Sequence, residues 1–488
     1  MTQTSRIEKD TMGEMSVPAD ALYGASTQRA VLNFPMSGRP LPDALIHAYA
    51  RIKAAAARAN EKLGHLDAQR SKLIQDACAQ ILEGLPRHGG LARHFPVDVF
   101  QTGSGTSTNM NANEVIANLI CLARGKPIGS SKDPAYIKDG GVHPNDHVNM
   151  GQSSNDTFPT AMHVAAATAI QKDLLPALEK IAKELDAKAK AWDAIVKIGR
   201  THLQDATPIR LGQEFSGYAA QMSHAQNRLH RALHLLGGLA IGGTAVGTGI
   251  NTHKDFAALV CADLTQHTGV HFREATNHFE AQHAKDGFVE ASGVVRTIAV
   301  SFTKIANDVR WLGSGPRCGI GELKLPAVQP GSSIMPGKVN PVICEAVIMA
   351  CCQVLGNDHA LTLGGLGGIG SLLDLNVAMP MMADCMLANV HLLARSAHVF
   401  TDSLLAGLEP DEDRCKGLIE QSLAMCTSLV PVIGYDRSAA LAKQAYAEGK
   451  TVRQLALEQK ILPAAELEKI LDPWSMTMPG GEVGSAGG

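Results

Sequence analysis

A glycine- and proline-rich loop contains the residues best suited to bind a carboxylate. The segment 331–341 reads Gly-Ser-Ser-Ile-Met-Pro-Gly-Lys-Val-Asn-Pro, in which Asn340 and Pro341 predict the start of a helix. A helix N-terminus presents unpaired N–H groups and a partial positive charge, and Lys338 adds a full positive charge. The spacing excludes a P-loop, because five residues separate Gly331 from Gly337 where that motif requires four. We therefore predict a carboxylate-binding loop.

Three upstream clusters are rich in hydroxyl and amide side chains, and each lies where a helix is predicted to begin or end. They are segments 102–109 (Thr-Gly-Ser-Gly-Thr-Ser-Thr-Asn), 152–156 (Gln-Ser-Ser-Asn-Asp) and 199–205 (Gly-Arg-Thr-His-Leu-Gln-Asp). Any one of them is commonly turn or cap chemistry. A lone histidine such as His202 is usually structural, and a lone acid such as Glu345 is usually solvated. Because helix ends in a bundle can converge on one pocket, the clusters together predict a binding site.

Two other segments are poor candidates for chemistry. The glycine-rich stretch 242–249 lacks both a preceding strand and the spacing of a dinucleotide-binding motif. His271, His278 and His283 are close in sequence, but their spacing matches no common zinc site. No metal site is predicted.

Long amphipathic helices must position these clusters. Apolar residues spaced alternately by three and four predict one helix through Val295, Ile298, Phe302, Ile305, Val309 and Leu312. A similar run from Leu174 to Val196 predicts a second helix with a kink at Pro176. Further helices are predicted after Pro341 and over residues 377–405, 42–63 and 70–84. The intervening stretch 313–338 is too rich in Gly and Pro for helix and predicts a functional loop.

The fold class predicted from these patterns is all-α, with a central bundle of long helices. Only 4% of the 488 residues are aromatic, as expected for helices packed through aliphatic side chains. Three domains are predicted, at 1–150, 151–406 and 407–488. The last should end in a helix pair, with Thr451 capping one helix and Pro463 opening the next.

Composition and charge exclude several classes of partner. The formal net charge is -3 without a long basic run, which argues against nucleic-acid binding. No run of about 18 apolar, uncharged residues predicts a membrane span. The N-terminal residues have no apolar core and carry acids early, so neither a signal sequence nor a transit peptide is expected. The ten cysteines include no Cys-x-x-Cys pair, so reduced and mostly buried thiols are expected. These features predict a cytoplasmic protein.

Taken together, the motifs resemble the fumarase/aspartase superfamily and, within it, class II fumarase. The resemblance covers residues 7–473, and its most specific part is the loop signature from Ser332 to Asn340. Five further segments match in family order: 104–109, 143–146 (His-Pro-Asn-Asp), 153–156, 199–205 and 304–311 (Lys-Ile-Ala-Asn-Asp-Val-Arg-Trp). The resemblance implies a three-domain lyase whose bundles associate into a homotetramer with a common helical core. It further implies active sites shared between three chains, a small dicarboxylate substrate and no cofactor.

The implied reaction is the reversible hydration of fumarate to L-malate in the tricarboxylic acid cycle. By resemblance, Ser332 is the base for the C3 proton, His202 handles the hydroxyl through a water, and Glu345 tunes His202. The substrate-binding residues implied in the same way are Ser104, Thr106, Ser153, Ser154, Asn155, Thr201, Ser333, Lys338 and Asn340. A secondary dicarboxylate site is implied at His143, Asn145 and Asp146.

Two alternatives share this fold. Aspartate ammonia-lyases usually read Arg-Thr-Gln and Ser-Thr-Asn-Asp where this chain has His202 and Ser154, so the residues favour fumarase. A non-catalytic structural protein would be expected to lose a catalytic position, and none is lost here. The chain departs from the fumarase pattern at Met150-Gly151 and in segment 370–376, where the stretch is about three residues longer. These departures concern substrate preference rather than fold.

Overall fold

The computed structural model describes residues 5–479. Helices dominate this part of the chain and its strands pair only in twos, which confirms the all-α prediction. The α-helices are α1 Ala25–Asn33, α2 Asp43–Lys62, α3 Ala68–Leu82, α4 Leu91–His94, α5 Thr106–Ala123, α6 Pro134–Lys138, α7 Ser154–Ala169, α8 Leu175–Ala191, α9 Leu211–Leu236, α10 Phe256–Thr268, α11 His278–His283, α12 Asp286–Leu312, α13 Val342–Gly365, α14 Met379–Ser403, α15 Glu412–Ile419, α16 Val430–Ile433, α17 Tyr435–Glu448, α18 Val452–Glu458 and α19 Ala464–Ile470.

The strands form short antiparallel pairs, apart from one parallel pair. They are β1 Ser5–Asp10 with β2 Gly13–Pro18, β3 Val196–Thr201 with β4 Gln204–Arg210, β5 Gly238–Leu239 with β6 Arg273–Glu274 (parallel), β7 Leu323–Lys324 with β10 Glu409–Pro410, and β8 Ser371–Leu372 with β9 Leu375–Asn376. Short 3₁₀ turns occupy Pro86–His88, Ser130–Lys132, Leu405–Gly407, Leu423–Leu429 and Ser475–Thr477, and π-helical turns occupy Pro144–Val148 and Ile170–Leu174.

The predicted helices are present with small changes at their ends. The apolar seam from Val295 to Leu312 lies on α12, and each of its six residues is at most 5% exposed. The second predicted helix is wrong at its C-terminal end: α8 stops at Ala191, and Val196 is the first residue of β3, paired with Arg210. The β-branched residues after α8 favour a strand once a partner strand lies beside them.

The predicted loop 313–338 is irregular apart from β7, and the irregular backbone continues through residue 341. Helix α13 begins at Val342, two residues after Asn340. The Asn340 side-chain amide donates a 2.7 Å hydrogen bond to the Gly331 carbonyl and so closes the loop. Near the C-terminus, Thr451 and Gln454 form a reciprocal capping box, and Pro463 directly precedes α19, as predicted.

The chain divides into two compact units, each built from separated stretches. The first contains residues 1–176, 226–299 and 351–394. Within it, α2 packs against α3, α7 and α10, while α5 contacts α1, α3 and α7. These contacts place the first turns of α5 and α7 in the same compact unit.

The second unit contains residues 177–225, 300–350 and 395–488. Its β3–β4 hairpin contacts α15, and Ile198 of β3 lies in an apolar core with Leu429, Leu441 and Leu455. The three-domain division predicted above stays a prediction, because these units join stretches that are distant in sequence.

One helix of the described residues, α13, is long and apolar enough to cross a membrane by length and composition alone. It nevertheless carries two acids, Glu345 and Asp358. Asp358 is 3% exposed, accepts a 2.6 Å hydrogen bond from the Ser292 hydroxyl and pairs with Arg296 at 2.9 Å. A buried, paired carboxylate fits a helix packed against protein better than one facing lipid.

Candidate active site

Hydroxyl groups from two of the predicted clusters form one hydrogen-bonded chain in the first unit. The hydroxyls of Ser104 and Thr106 are 2.9 Å apart, and those of Thr106 and Ser154 are 2.8 Å apart. Ser154 also donates to the Asn155 side chain at 3.4 Å, and Asn155 donates to the Ala245 carbonyl at 2.8 Å. The structure therefore unites segments 102–109 and 152–156 into a single polar surface.

Two glycines allow the first of these segments to pack so closely. Gly105, with a φ of +75°, precedes α5, and a Cβ there would lie 1.7 Å from the Phe158 ring. A Cβ on Gly103 would lie 1.6 Å from the Val377 carbonyl oxygen. Neither position has room for a side chain, so the hydroxyls of Ser104 and Thr106 are presented by a backbone that packs directly on its neighbours.

A capping box holds the second segment at the start of α7. The Ser153 hydroxyl accepts from the Asn155 amide at 3.2 Å, while the Asp156 carboxylate accepts from the Ser153 amide at 2.9 Å. Asp156 is fully buried and also accepts from the amides of Gly242 and Thr244. Burial raises the pKa of Asp156 to about 6 despite these bonds. The glycine-rich stretch 242–249, which was set aside as a dinucleotide-binding motif, thus supports the start of α7.

The third cluster forms the tip of the β3–β4 hairpin in the second unit. Thr201 pairs with Gln204, so His202 and Leu203 form a two-residue turn, with φ values of 57° and 60°. Left-handed conformations at both central positions match the turn type that best fits the strand twist. The turn presents Thr201 and His202 at the exposed end of the hairpin.

Buried ion pairs support this hairpin from below. The Glu322 carboxylate is 0% exposed and lies 2.9 Å from the Arg200 guanidinium and 3.2 Å from the Lys197 ammonium. Lys197 is itself 1% exposed and lies 3.0 Å from Glu214. Since Glu322 belongs to the irregular loop, the pairs join the hairpin carrying His202 to the base of that loop.

The loop itself concentrates backbone donors on Ser332. The Ser332 hydroxyl oxygen accepts hydrogen bonds from the amides of Ile334 at 3.2 Å and Met335 at 3.1 Å. The Gly331 amide donates to the Lys338 carbonyl at 3.0 Å, and a Cβ at Gly331 would lie 2.2 Å from that oxygen. The loop is thus a tight turn that directs N–H groups at one serine oxygen.

The remaining loop candidates face solvent in the single chain. Ser333, Lys338 and Glu345 are exposed, and Glu345 lies in the first turn of α13. Among the described residues, no hydrogen bond joins the His202 hairpin tip to segment 331–340. The second unit therefore holds the hairpin tip and the loop as two separate clusters of predicted site residues.

The implied secondary site lies at the π-helical turn Pro144–Val148. The Nδ1 atom of His143 accepts from the amides of Asn145 at 3.3 Å and Asp146 at 3.1 Å. An Nδ1 that accepts two N–H groups carries no proton, so we interpret its 3.1 Å approach to the Asp146 carboxylate as proximity rather than an ion pair. Burial lowers the pKa of His143, consistent with a neutral ring.

Residues 5–479 contain no group of three or more His, Cys, Asp or Glu side chains arranged to hold a metal ion. His278, one of the three histidines close in sequence, is structural: its Nδ1 donates to the Ala240 carbonyl, and its Nε2 lies 2.8 Å from Glu274.

The sequence did not predict the roles of Lys53, Asn149 and Glu322, whose contacts support the clusters. No local pattern marks them, because their partners are distant in sequence.

Comparisons with known proteins agree with this geometry. Residues 13–356 match a family model described as lyase, and residues 425–478 match one described as fumarase C C-terminus. The class II fumarate hydratase of Thermosynechococcus vestitus is 50% identical over 96% of this chain and 97% of its own length. That of Corynebacterium efficiens is 51% identical over 97% of both chains.

Solved structures show the same similarity. The chain matches a class II fumarase from Schistosoma mansoni with a TM-score of 0.91 and 37% identity, covering 98% of this chain and 100% of that one. It matches a fumarate lyase:delta crystallin from Brucella melitensis with a TM-score of 0.89 and 44% identity, covering 97% and 100%. With near-complete coverage in both sequence and structure, the chain belongs to the class II fumarate hydratase family of lyases.

Proposed function

We propose that this chain catalyses the reversible, stereospecific hydration of fumarate to L-malate, with Ser332 as the base for the C3 proton. The observation that carries the proposal is the pair of hydrogen bonds that the Ser332 hydroxyl oxygen accepts from loop N–H groups. A serine hydroxyl is a poor base unless its alkoxide is stabilised. Two aligned backbone donors stabilise that alkoxide, and Lys338, six residues along the same loop, adds positive charge.

The reaction requires fixed donors rather than a strong electrophile. Removal of the C3 proton from malate pushes negative charge into a carboxylate that is already charged, so the transition state is stabilised by preorganised hydrogen-bond donors in a water-poor pocket. Lys338 and Asn340 bind one carboxylate in this proposal. The polar surface of the first unit, with Thr201 and Ser333, surrounds the rest of the substrate; its members are Ser104, Thr106, Ser153, Ser154 and Asn155.

His202 is proposed to handle the departing or entering hydroxyl through a water, and Glu345 to tune it. Histidine suits a proton transfer that must run in both directions near neutral pH. The exposure of His202 at the hairpin tip leaves its ring free to meet a group supplied from elsewhere in the assembly.

We further propose a homotetramer in which three chains build each active site. Several large apolar side chains on the long helices are exposed in the single chain, including Val300 (55%) and Trp311 (45%) on α12 and Met349 (67%) on α13. Such faces are typical of helices that associate with other subunits. The exposure of His202 and the Ser332 loop supports the same assembly.

Three further proposals follow the family. His143, Asn145 and Asp146 form a secondary dicarboxylate site, the chain has the three domains predicted above, and the enzyme is cytoplasmic. The small dicarboxylate is its only proposed ligand, without a metal or other cofactor.

Absorbance of fumarate with malate as substrate tests the proposal directly. We expect purified protein to interconvert the two acids in air after exhaustive chelation. The matched control is aspartate, which should be left untouched under the same conditions. Ammonia release from aspartate at a comparable rate would show the chain to be an aspartate ammonia-lyase, and inactivity towards both would favour a structural protein on this fold.

A further inference from the structure

Lys53, in the middle of α2, is a fully buried lysine whose ammonium group contacts three amide oxygens. It is 0% exposed, and its Nζ donates to the side-chain oxygens of Asn109 at 2.8 Å, Asn149 at 2.9 Å and Gln152 at 3.0 Å. An ammonium group has three N–H donors, so these contacts use all of them. Burying a cation without a carboxylate partner is costly, which points to a purpose beyond packing.

The three amides belong to the two segments that carry the substrate-binding hydroxyls. Asn109 lies in the first turn of α5, three residues after Thr106, and Gln152 directly precedes Ser153. Asn149 links the two segments. Its side-chain oxygen also accepts a 3.2 Å hydrogen bond from the Asn109 side-chain NH₂ group, and its own side-chain NH₂ group donates to the main-chain carbonyl of Gln152 at 3.0 Å. A single ammonium group thus contacts both the segment that carries Ser104 and Thr106 and the segment that carries Ser153 and Ser154, and holds them together.

The polar surface above Lys53 depends on the relative position of these segments. Thr106 and Ser154 share a 2.8 Å hydrogen bond, which a shift of 1 Å between the segments would break. Asn109 is further held by the Thr157 hydroxyl, which donates to it at 3.2 Å. Burial lowers the pKa of Lys53 to about 7, and the charge of Asp156 opposes this effect.

We infer that Lys53 is a positioning residue for hydration, acting through Asn109, Asn149 and Gln152 to align the hydroxyls of Ser104–Thr106 with those of Ser153–Ser154. The inference rests on the proposed function. Lys53 does not touch substrate, since its donors are fully engaged with amide oxygens.

The test compares Lys53→Met with a matched variant of the other fully engaged buried lysine in the same unit. Lys285 is 2% exposed, and its Nζ donates only to the main-chain carbonyls of Ala281, Gln282 and Ala284. Lys285→Met removes a buried ammonium group without touching the two hydroxyl segments. Both variants are assayed as assembled enzyme, with kcat and KM for fumarate measured alongside Tm.

Lys53→Met should lower kcat/KM by roughly tenfold to a hundredfold with a raised KM, because small misplacements of binding groups are costly. Lys285→Met should lower Tm by a similar amount but change kcat and KM by less than about twofold. Lys53→Arg, which keeps a cation with several donors, should recover part of the lost kcat/KM.

Asn149→Leu keeps the inference falsifiable if Lys53→Met does not fold. It removes one acceptor from Lys53 and should also raise KM, and in the double variant the two effects should not add. Equal kcat and KM losses in the Lys53 and Lys285 variants, or an unchanged KM in Asn149→Leu, would overturn the inference. A wild-type enzyme inert towards fumarate would instead refute the proposed function itself.

Discussion

The Arg200 guanidinium donates a 2.9 Å hydrogen bond to the Glu322 carboxylate, although the two residues are 122 positions apart. Arg200 stands two residues before His202, and Glu322 stands ten residues before Ser332. The ion pair therefore joins the hairpin that carries His202 to the loop that carries Ser332, the two residues proposed to transfer protons.

Glu322→Gln should destabilise the enzyme by about 3 kcal/mol, because it leaves the buried Lys197 and Arg200 without their shared partner. Denaturant unfolding measures this change, and kcat should fall as the hairpin and loop shift. The matched control is Lys324→Gln in the same loop, whose ion pair with Asp411 is well exposed and should contribute less than about 1 kcal/mol. Equal effects of the two variants would contradict the proposed support.

His202→Asn should lower kcat by about a hundredfold or more, the usual contribution of a positioned acid–base group. Asparagine tolerates the left-handed conformation that position 202 adopts, so stability should barely change. The measurements are the pH–rate profile and Tm. His271→Asn, at another exposed histidine, should leave both unchanged. A near-normal rate with an unaltered profile for His202→Asn would show that His202 is only structural.

Mixing two inactive variants tests whether chains share active sites. Ser332→Ala and His202→Asn should each be inactive, but unfolding and refolding them together should form mixed tetramers. If the two residues come from different chains, each site has an even chance of an intact residue at each position. Roughly a quarter of sites should then regain activity once the closed symmetry is restored.

The controls for mixing are each variant refolded alone and the tetramer content of every sample. If mixed tetramers form but remain as inactive as their parents, His202 and Ser332 act within one chain. The shared-site proposal would then fail while the proposed reaction stands.

The stability of the enzyme should fall as pH drops from about 6.5 to about 4, in part through His163. Burial, with a smaller effect from Lys285, lowers the pKa of His163 to about 4, while its ordinary value is 6.5. Between these values the unfolded chain binds a proton that the folded chain excludes, so the contribution is complete above 6.5 and lost on acidification. The difference corresponds to about 3 kcal/mol.

His163→Phe keeps an aromatic ring stacked on Phe288, whose centroid lies 5.5 Å from that of His163. The difference in unfolding free energy between pH 7 and pH 4.5 should be smaller in this variant than in the wild type at matched protein concentration. An identical difference would show that other groups control the acid sensitivity.

The long helices and the loop could be predicted from sequence because their signals are local. The seam through Phe302 repeats within one helix, and the Gly-Pro content of 313–338 excludes helix by backbone chemistry alone. The site residues came from the resemblance, and their roles stay predictions.

The parts that could not be predicted depend on distant partners. A lysine in an alanine-rich helix is usually solvated, and nothing near Lys53 in sequence shows that its three acceptors lie 56 to 99 residues away. The strand that begins at Val196 likewise depends on its pairing with β4, in which Arg210 lies opposite Val196. Asp156 recruits the amides of Gly242 and Thr244 across a similar distance, so the role of that stretch was missed.

The contact between Gly103 and Val377 holds the base of the β8–β9 hairpin against the segment that carries Ser104. Val377 closes the base of the hairpin, since its amide donates to the Gly370 carbonyl at 2.7 Å. The Met379 amide donates to the Gly103 carbonyl at 3.1 Å, while Leu373 at the hairpin tip is 92% exposed. Insertions at the tip therefore meet only solvent in the chain itself. A change in the length of this tip should therefore alter the surface of the first unit while the Ser104 hydroxyl stays in place.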